Sequence, residues 1–222
     1  LAAVIIEPIQ GEGGFMVPAD GYLPALQDWC TANGVVFIAD EIQSGMARTG
    51  KYFASEHFGV EPDLVLSAKG IAGGLPLAGV TGRAEIMDAA QAGGLGGTFG
   101  GNPVSSAAAI AVFEQIEQHN LLEEAVRIES VLKPALLELQ KKYPVIGDVR
   151  GIGAMLAIEL VTPGTHEPDA AAVSAISTYA ANNGVLLLTA GTYGNVLRFL
   201  PSLAISDELL LDAVSVLDEA LA

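Results

Sequence analysis

Basic residues are scarce in this chain: ten Lys and Arg stand against 26 Asp and Glu, a formal net charge of −16. Nucleic acid and anionic membrane surfaces both attract basic faces, so neither is expected as a partner. A small phosphorylated ligand stays admissible, because such a site is local. The single cysteine, Cys30, excludes an internal disulfide and points to a reducing, cytoplasmic setting. No apolar run reaches the length of a membrane span, and no signal peptide opens the sequence. The histidines His57, His119 and His166 are scattered, and neither H-E-x-x-H nor C-x-x-C occurs, so no metal is expected. The hydrolase elbow G-x-S-x-G, the dinucleotide fingerprint G-x-G-x-x-G and the Walker pattern are also missing.

What is present is apolar. Hydrophobic residues make up 51% and charged residues only 16%, the balance of a globular α/β enzyme and not of a disordered segment. At 222 residues the chain is long enough for one large domain or two smaller ones. Leu1 to Ile6 already reads as a buried strand with no polar lead-in, from which we expect the sequence to be the later part of a longer protein.

Pro8 and a glycine-rich loop end that strand. A helix capped by Asp20 or a neighbour should run past Trp29 and Cys30 and stop at Gly34. Val35 to Ala39 is a continuous apolar run, which predicts a strand buried on both faces. A short helix near 53–58 leads to a strand over Asp63 to Ser67, and Leu77 to Thr81 reads as another. This alternation describes a mostly parallel sheet flanked by helices. After residues 93–103 the pattern becomes helical over Val104 to Gln118 and again over Leu121 to Tyr143, where Pro134 should kink or split the helix. Strands over Ala154 to Leu160, Val185 to Leu188 and Val196 to Phe199 follow, with helices near Asp169 to Asn182 and from Ser206. We divide the chain into residues 1–118, part of a large ligand-binding domain, and a smaller α+β domain over 119–222.

Ligands of open α/β sheets sit outside the carboxyl ends of the strands. Three such ends here carry polar residues: Glu7 on the first, Asp40, Glu41 and Gln43 on the second, and Ser67-Ala68-Lys69-Gly70 on the third. Lys69 is either a solvated loop lysine or a nucleophile. Gly70, Gly73 and Gly74 around it allow close backbone approach, and an apolar setting would favour the neutral amine that Schiff-base lysines require. Asp40 either caps the next turn or holds a protonated pyridine nitrogen, which keeps such a ring an electron sink. The segment 93–103, whose glycines expose backbone N–H groups and whose Thr98 adds a hydroxyl donor, suits a phosphate or a flexible lid.

Taken together these residues are more specific. The strings Glu7-Pro8-Ile9-Gln10-Gly11-Glu12-Gly13-Gly14-Phe15 and Ala39-Asp40-Glu41-Ile42-Gln43-Ser44-Gly45 resemble the class III pyridoxal-phosphate aminotransferases. So do Ala68-Lys69, followed by Ile71-Ala72-Gly73-Gly74-Leu75-Pro76-Leu77, and Gly97-Thr98-Phe99-Gly100-Gly101-Asn102-Pro103. The likeness runs in one register to Asn195-Val196-Leu197-Arg198, and Gly13-Gly14-Phe15 with Leu95 to Thr98 is nearest to members acting on 4-aminobutyrate.

The resemblance implies fold type I, pyridoxal 5'-phosphate, and a homodimer with shared active sites. It implies amino transfer from 4-aminobutyrate or a similar ω-amino acid to 2-oxoglutarate, giving a semialdehyde and glutamate. By it Lys69 carries the cofactor and shuttles a proton, Asp40 pairs with the ring nitrogen, Gln43 lies by the ring hydroxyl, and Ile42 packs on the ring face. Thr98 would reach the phosphate of the neighbouring subunit's cofactor, and Arg198 would bind the α-carboxylate of glutamate. Glu7 would pair with Arg198 when that carboxylate is absent, as against a permanent structural salt bridge. An ornithine, other ω-amino acid or aminoketone transaminase is the nearest alternative. An aminomutase or decarboxylase on the same scaffold, or a non-catalytic module, is a more distant one.

Overall fold

The computed structural model describes residues 1–222. The chain divides into two compact units: 1–8, 18–47 and 51–121 form the first, and 9–17, 48–50 and 122–222 the second. Two short early segments thus belong with the later residues, which a single cut near residue 119 does not express.

The first unit is built on β1 (Ala3–Ile6), α1 (Tyr22–Asn33), β2 (Val36–Asp40), β3 (Leu64–Ser67), β4 (Gly79–Gly82), a short α2 (Ala84–Met87) and α3 (Pro103–Gln118). The sheet order is β1-β2-β3-β4. β1, β2 and β3 are parallel, while β4 returns antiparallel to β3. Helix α1 buries Leu23 and Cys30 against Val35, Phe37 and Val60, so the cysteine is a core residue. It ends as expected at Gly34, whose φ of 62° lets its N–H reach back to Cys30 and Thr31. Its cap is Gly21, the neighbour of Asp20, at φ 77° and without a side-chain hydrogen bond. In β2, Phe37 and Ala39 are buried, whereas Val36 and Ile38 are only partly covered within this chain.

The second unit holds α4 (Leu121–Lys142), β5 (Ile146–Ile152), β6 (Met155–Leu160), α5 (Ala170–Asn182), β7 (Leu188–Ala190), β8 (Val196–Phe199) and α6 (Asp207–Leu221). Its sheet is antiparallel in the order β5-β6-β8-β7. One face, with Leu156, Ile158, Leu160 and Leu197, packs on Ile128, Leu132 and Leu136 of α4, Val173 and Ile176 of α5, and Leu210 and Leu217 of α6. Asp169 and Ser206 cap α5 and α6 by accepting from the backbone N–H of Ala172 and Leu209.

Pro134 does not split α4, which runs unbroken through it. A proline inside a helix costs about 3 kcal/mol. Each fully buried large aliphatic side chain contributes about 1.5–3 kcal/mol, and α4 buries Ile128, Leu132, Leu136 and Leu139 in one stripe. The stripe outweighs the proline. Strand β5 escaped the pattern because Gly147 and Gly151 interrupt its alternation and a bulge falls between Ile146 and Asp148.

Gly151 sits at φ 119°, and a β-carbon there would lie 2.0 Å from the Met155 carbonyl oxygen, whereas at Gly164 (φ 80°) it would meet nothing within 4 Å. Gly151→Ala should therefore lower stability by about 3 kcal/mol or more. Gly164→Ala should cost only the left-handed backbone penalty of about 1–2 kcal/mol. Urea unfolding midpoints of the two variants check the order.

Candidate active site

Parallel register decides what the first unit presents. Ile6 pairs with Ala39, and Asp40 pairs with Leu66. The chain leaves all three strands at one edge, so Glu7, Asp40 and the turn after Ser67 emerge side by side. The amino end of β4 reaches the same edge, with Gly79 opposite Ser67.

Asp40 is partly buried. Its Oδ1 accepts from the Ile42 N–H at 3.1 Å, an Asx-type turn that accounts for the capping role. Its Oδ2 accepts nothing from the chain, so the same carboxylate keeps an acceptor for a ligand. Glu41, one residue on, is of another kind. It is 1% exposed, and its carboxyl oxygens accept from the Ser44 hydroxyl (2.5 Å), the Ala54 N–H (3.0 Å), the Ser55 N–H (2.7 Å) and the Ser55 hydroxyl (2.6 Å). It staples the loop after β2 and has no acceptor to offer.

Lys69 opens a 3-10 turn, Lys69–Ala72, after the extended Ala68. Its backbone is left-handed at φ 49°. A non-glycine residue there costs about 1–3 kcal/mol and is held only where the surroundings dictate it, a condition met most often at functional sites. The apolar surround expected for Lys69 is not supplied by this unit, for the side chain is exposed. A cavity of about 230 Å³ lined by Ile42, Leu66, Ser67, Ala78, Gly79 and Val80 lies by the ends of these strands. Its lining is mostly apolar, as a flat ring would require, and Asp40 Oδ2 is an open acceptor at the same edge. Gln43 is half-buried just beyond Ile42, and Thr98 is exposed in a turn-rich segment. That segment leads into α3, capped by the Asn102 side chain on the N–H groups of Val104 and Ser105.

Arg198 belongs to the second unit. Its Nη1 donates to Glu12 Oε1 at 2.7 Å and its Nη2 to the Thr189 carbonyl at 3.1 Å, and its guanidinium lies 5.7 Å from the centre of the Phe15 ring. The two ends of the ion pair differ: the Arg198 side chain is 9% exposed and that of Glu12 72%. The acid beside Arg198 is thus Glu12, where the sequence reading had assigned Glu7. Residues 9–17 fold with the second unit and take Glu12 with them, whereas Glu7 ends β1 in the first. Glu12 stood in the same glycine-rich string, but nothing in its spacing announced which sheet that string would join.

An α/β sheet that gathers a carboxylate and a lysine turn at one strand edge, in a chain whose second unit is α+β and carries a buried arginine, is the architecture of fold type I transferases. The chain belongs to the class-III aminotransferases, whose family model matches residues 1–221. It is 58% identical over its full length to a 4-aminobutyrate aminotransferase of Mycobacterium leprae, of which it covers 50%. It is 50% identical to a 5-aminovalerate aminotransferase of Pseudomonas putida, covering 52% of that protein. Among solved structures, an aminotransferase of Bacillus anthracis superposes on the whole chain with a TM-score of 0.93 at 33% identity, the chain covering 52% of it. Ornithine aminotransferase of Toxoplasma gondii, described with pyridoxal phosphate at its active site, gives 0.89 at 36% identity over 99% of the chain and 50% of its own. The chain spans about half the length of the curated relatives it matches.

The two adjacent acids should separate cleanly. Glu41→Gln leaves at least one donor facing a donor and should cost about 2–4 kcal/mol in a denaturation midpoint. Asp40→Asn keeps its Oδ1 acceptor for Ile42 and should stay within about 0.5 kcal/mol of the parent.

Proposed function

We propose that the protein is a pyridoxal-phosphate aminotransferase that moves the amino group of 4-aminobutyrate, or a similar ω-amino acid, to 2-oxoglutarate. The observation that carries this reading is the common edge holding the open oxygen of Asp40 and the turn of Lys69. Family membership supports it, and so do the names of the 58% and 50% identical relatives, both of which act on ω-amino acids.

Asp40 Oδ2 would hold the proton of the ring nitrogen, Ile42 would press on the ring face, and Gln43 would lie by the ring hydroxyl. Lys69 Nζ would bind the cofactor covalently in the resting enzyme. The bound cofactor supplies an electron-accepting ring, which stabilises charge at the substrate carbon. Lys69 Nζ, once freed by the incoming amine, would serve as the general base and acid that holds and moves the proton at that carbon. Thr98, in its exposed loop, would serve the phosphate bound by a second copy of the chain. Exposed Leu95, Phe99, Val104 and Ile110 on and beside α3 support such a homodimer. No helix is long and apolar enough to cross a membrane, and the lone buried Cys30 supports a cytoplasmic enzyme.

Two amines must use one site in turn. Glutamate brings a carboxylate beside the reacting carbon; 4-aminobutyrate brings none. Arg198 would bind that carboxylate, and without it a buried guanidinium would lack its acceptor at a cost of about 1–3 kcal/mol. Glu12 fits the alternating part that the sequence reading gave to Glu7. It holds Arg198 from a solvent-exposed position, so it can leave when a carboxylate arrives. Glu7, at the β1 end, remains a substrate-side candidate of the strand edge.

Borohydride reduction of the full-length holoenzyme followed by peptide mass spectrometry should give a pyridoxyl group on Lys69, and on another lysine if the assignment is wrong. Amino transfer to 2-oxoglutarate should be faster from 4-aminobutyrate than from ornithine, and the reverse order favours the ornithine reading. Glu12→Gln should slow the 4-aminobutyrate half-reaction about tenfold more than the glutamate half-reaction. Equal losses would make the pair structural.

A further inference from the structure

Arg198 has a counterpart in its own sheet. Arg150 of β5 is paired with Ala157 of β6, and Ala157 with Arg198 of β8. Residues opposite one another in antiparallel strands project to the same face. The two arginines therefore flank Ala157 on the face turned away from the helices. In the next row of that face stand Asp148, Glu159 and Val196. Across it lies the turn 9–17, closed by the mutual backbone bonds of Gln10 and Met16.

Each arginine grips that turn, at a different point. Arg150 Nε donates to the Gly14 carbonyl at 2.8 Å, and Arg198 Nη1 to the Glu12 carboxylate at 2.7 Å. Arg150 is itself held in aim. Its Nη1 donates to Glu159 and, at 2.9 Å, to Asp148; Glu159 also accepts from Asn195 at 3.2 Å, and Asn195 is 2% exposed. The fit around Gly14 is close, since a β-carbon there would lie 2.9 Å from Val196 Cγ2 and 3.0 Å from Arg150 Nη2. The backbone of Glu12 is tied on its own account, its carbonyl accepting from the Gly191 N–H at 3.0 Å. The backbone is thus fixed two residues away on one side and at its own carbonyl, while the Glu12 side chain is 72% exposed.

We propose that Arg150 is a positioning residue for substrate alternation: it clamps the 9–17 turn so that Glu12 can return to Arg198 whenever the substrate lacks an α-carboxylate. The clamp itself stands on the geometry of the second unit alone. Its effect on substrate choice rests on the aminotransferase reading above. A lysine cannot replace this arginine, because one ammonium lacks the planar fork that spans the Gly14 carbonyl and Glu159 together.

Hydrogen exchange tests the clamp in the full-length holoenzyme without substrate. In Arg150→Lys and Arg150→Met, peptides covering 9–17 should exchange about tenfold or more faster, while those covering 155–160 keep the parent rate. Unchanged exchange over 9–17 overturns the clamp, as does equal acceleration over 155–160, which would make Arg150 a general support of the sheet. Single-turnover half-reactions test the consequence. Arg150→Lys should lose about tenfold more in kcat/KM for 4-aminobutyrate than for glutamate, and Arg150→Lys with Glu12→Gln should lose no more than Glu12→Gln alone. Equal losses for both amines, or additive losses in the double variant, overturn the link to Glu12. An enzyme that turns over neither amine would refute the functional reading, and the exchange data would still decide the clamp.

Discussion

The parallel pairing of β1, β2 and β3 is the constraint from which the first site follows. Parallel strands share a direction, so every chain exit falls on one edge, and the register brings Asp40 level with Leu66 on one side and with the Glu7 end of β1 on the other. An antiparallel neighbour could not add another exit there; β4 contributes its entrance instead, and with it the small Ala78 and Gly79 that leave the cavity open. Shifting β3 by one residue against β2 would turn its side chains to the opposite faces of the sheet. The lysine turn would then leave on another line. The chemistry thus depends on backbone hydrogen bonds more than on any contact between the reactive side chains.

The three carboxylates Asp40, Glu41 and Glu12 illustrate how surroundings divide one functional group among several tasks. Glu41, with four donors and no exposure, is immobile, since moving it would strip four buried partners at about 1–3 kcal/mol each. Asp40 has one oxygen fixed by Ile42 and one open, which gives it a set orientation with capacity for a ligand. Glu12 is anchored through its backbone and exposed at its side chain, which suits an acid that must come and go.

Much of the first site was legible in the sequence because strand ends are marked by local chemistry. An apolar run followed by Asp40, or by Ser67 and Lys69, states both the strand and its exit. Gly34 and Ser206 likewise announced helix ends through the local bonds that they make. What was not legible depended on distant partners. The apolar stripe of α4 overrides Pro134 only because a sheet receives it. Gly147 and Gly151 hide β5, whose partner β6 defines it. The turn 9–17 joins the second unit through Arg150 and Arg198, which lie more than a hundred residues away, so the sequence did not announce the pairing of Arg198 with Glu12. In each case the deciding interaction was long-range.

The scarcity of basic residues sharpens this division of labour. Four arginines of the second unit donate to backbone carbonyls: Arg48 to Pro201 (2.6 Å), Arg127 to Ile205 (2.6 Å), Arg150 to Gly14 (2.8 Å) and Arg198 to Thr189 (3.1 Å). Burial pushes the Arg48 guanidinium below its ordinary pKa, yet an arginine retains its charge at such a depth where a lysine would tend to lose it. A carbonyl partner carries no formal charge, so these bonds by themselves leave the positive charge of the arginine uncompensated. In a chain of net charge −16, whose overall potential repels dicarboxylates, that local field matters more than it would on a neutral protein. Arg198 pairs with an acid, Glu12, whose side chain is 72% exposed, so a substrate carboxylate could displace that protein carboxylate without leaving a buried charge unmatched.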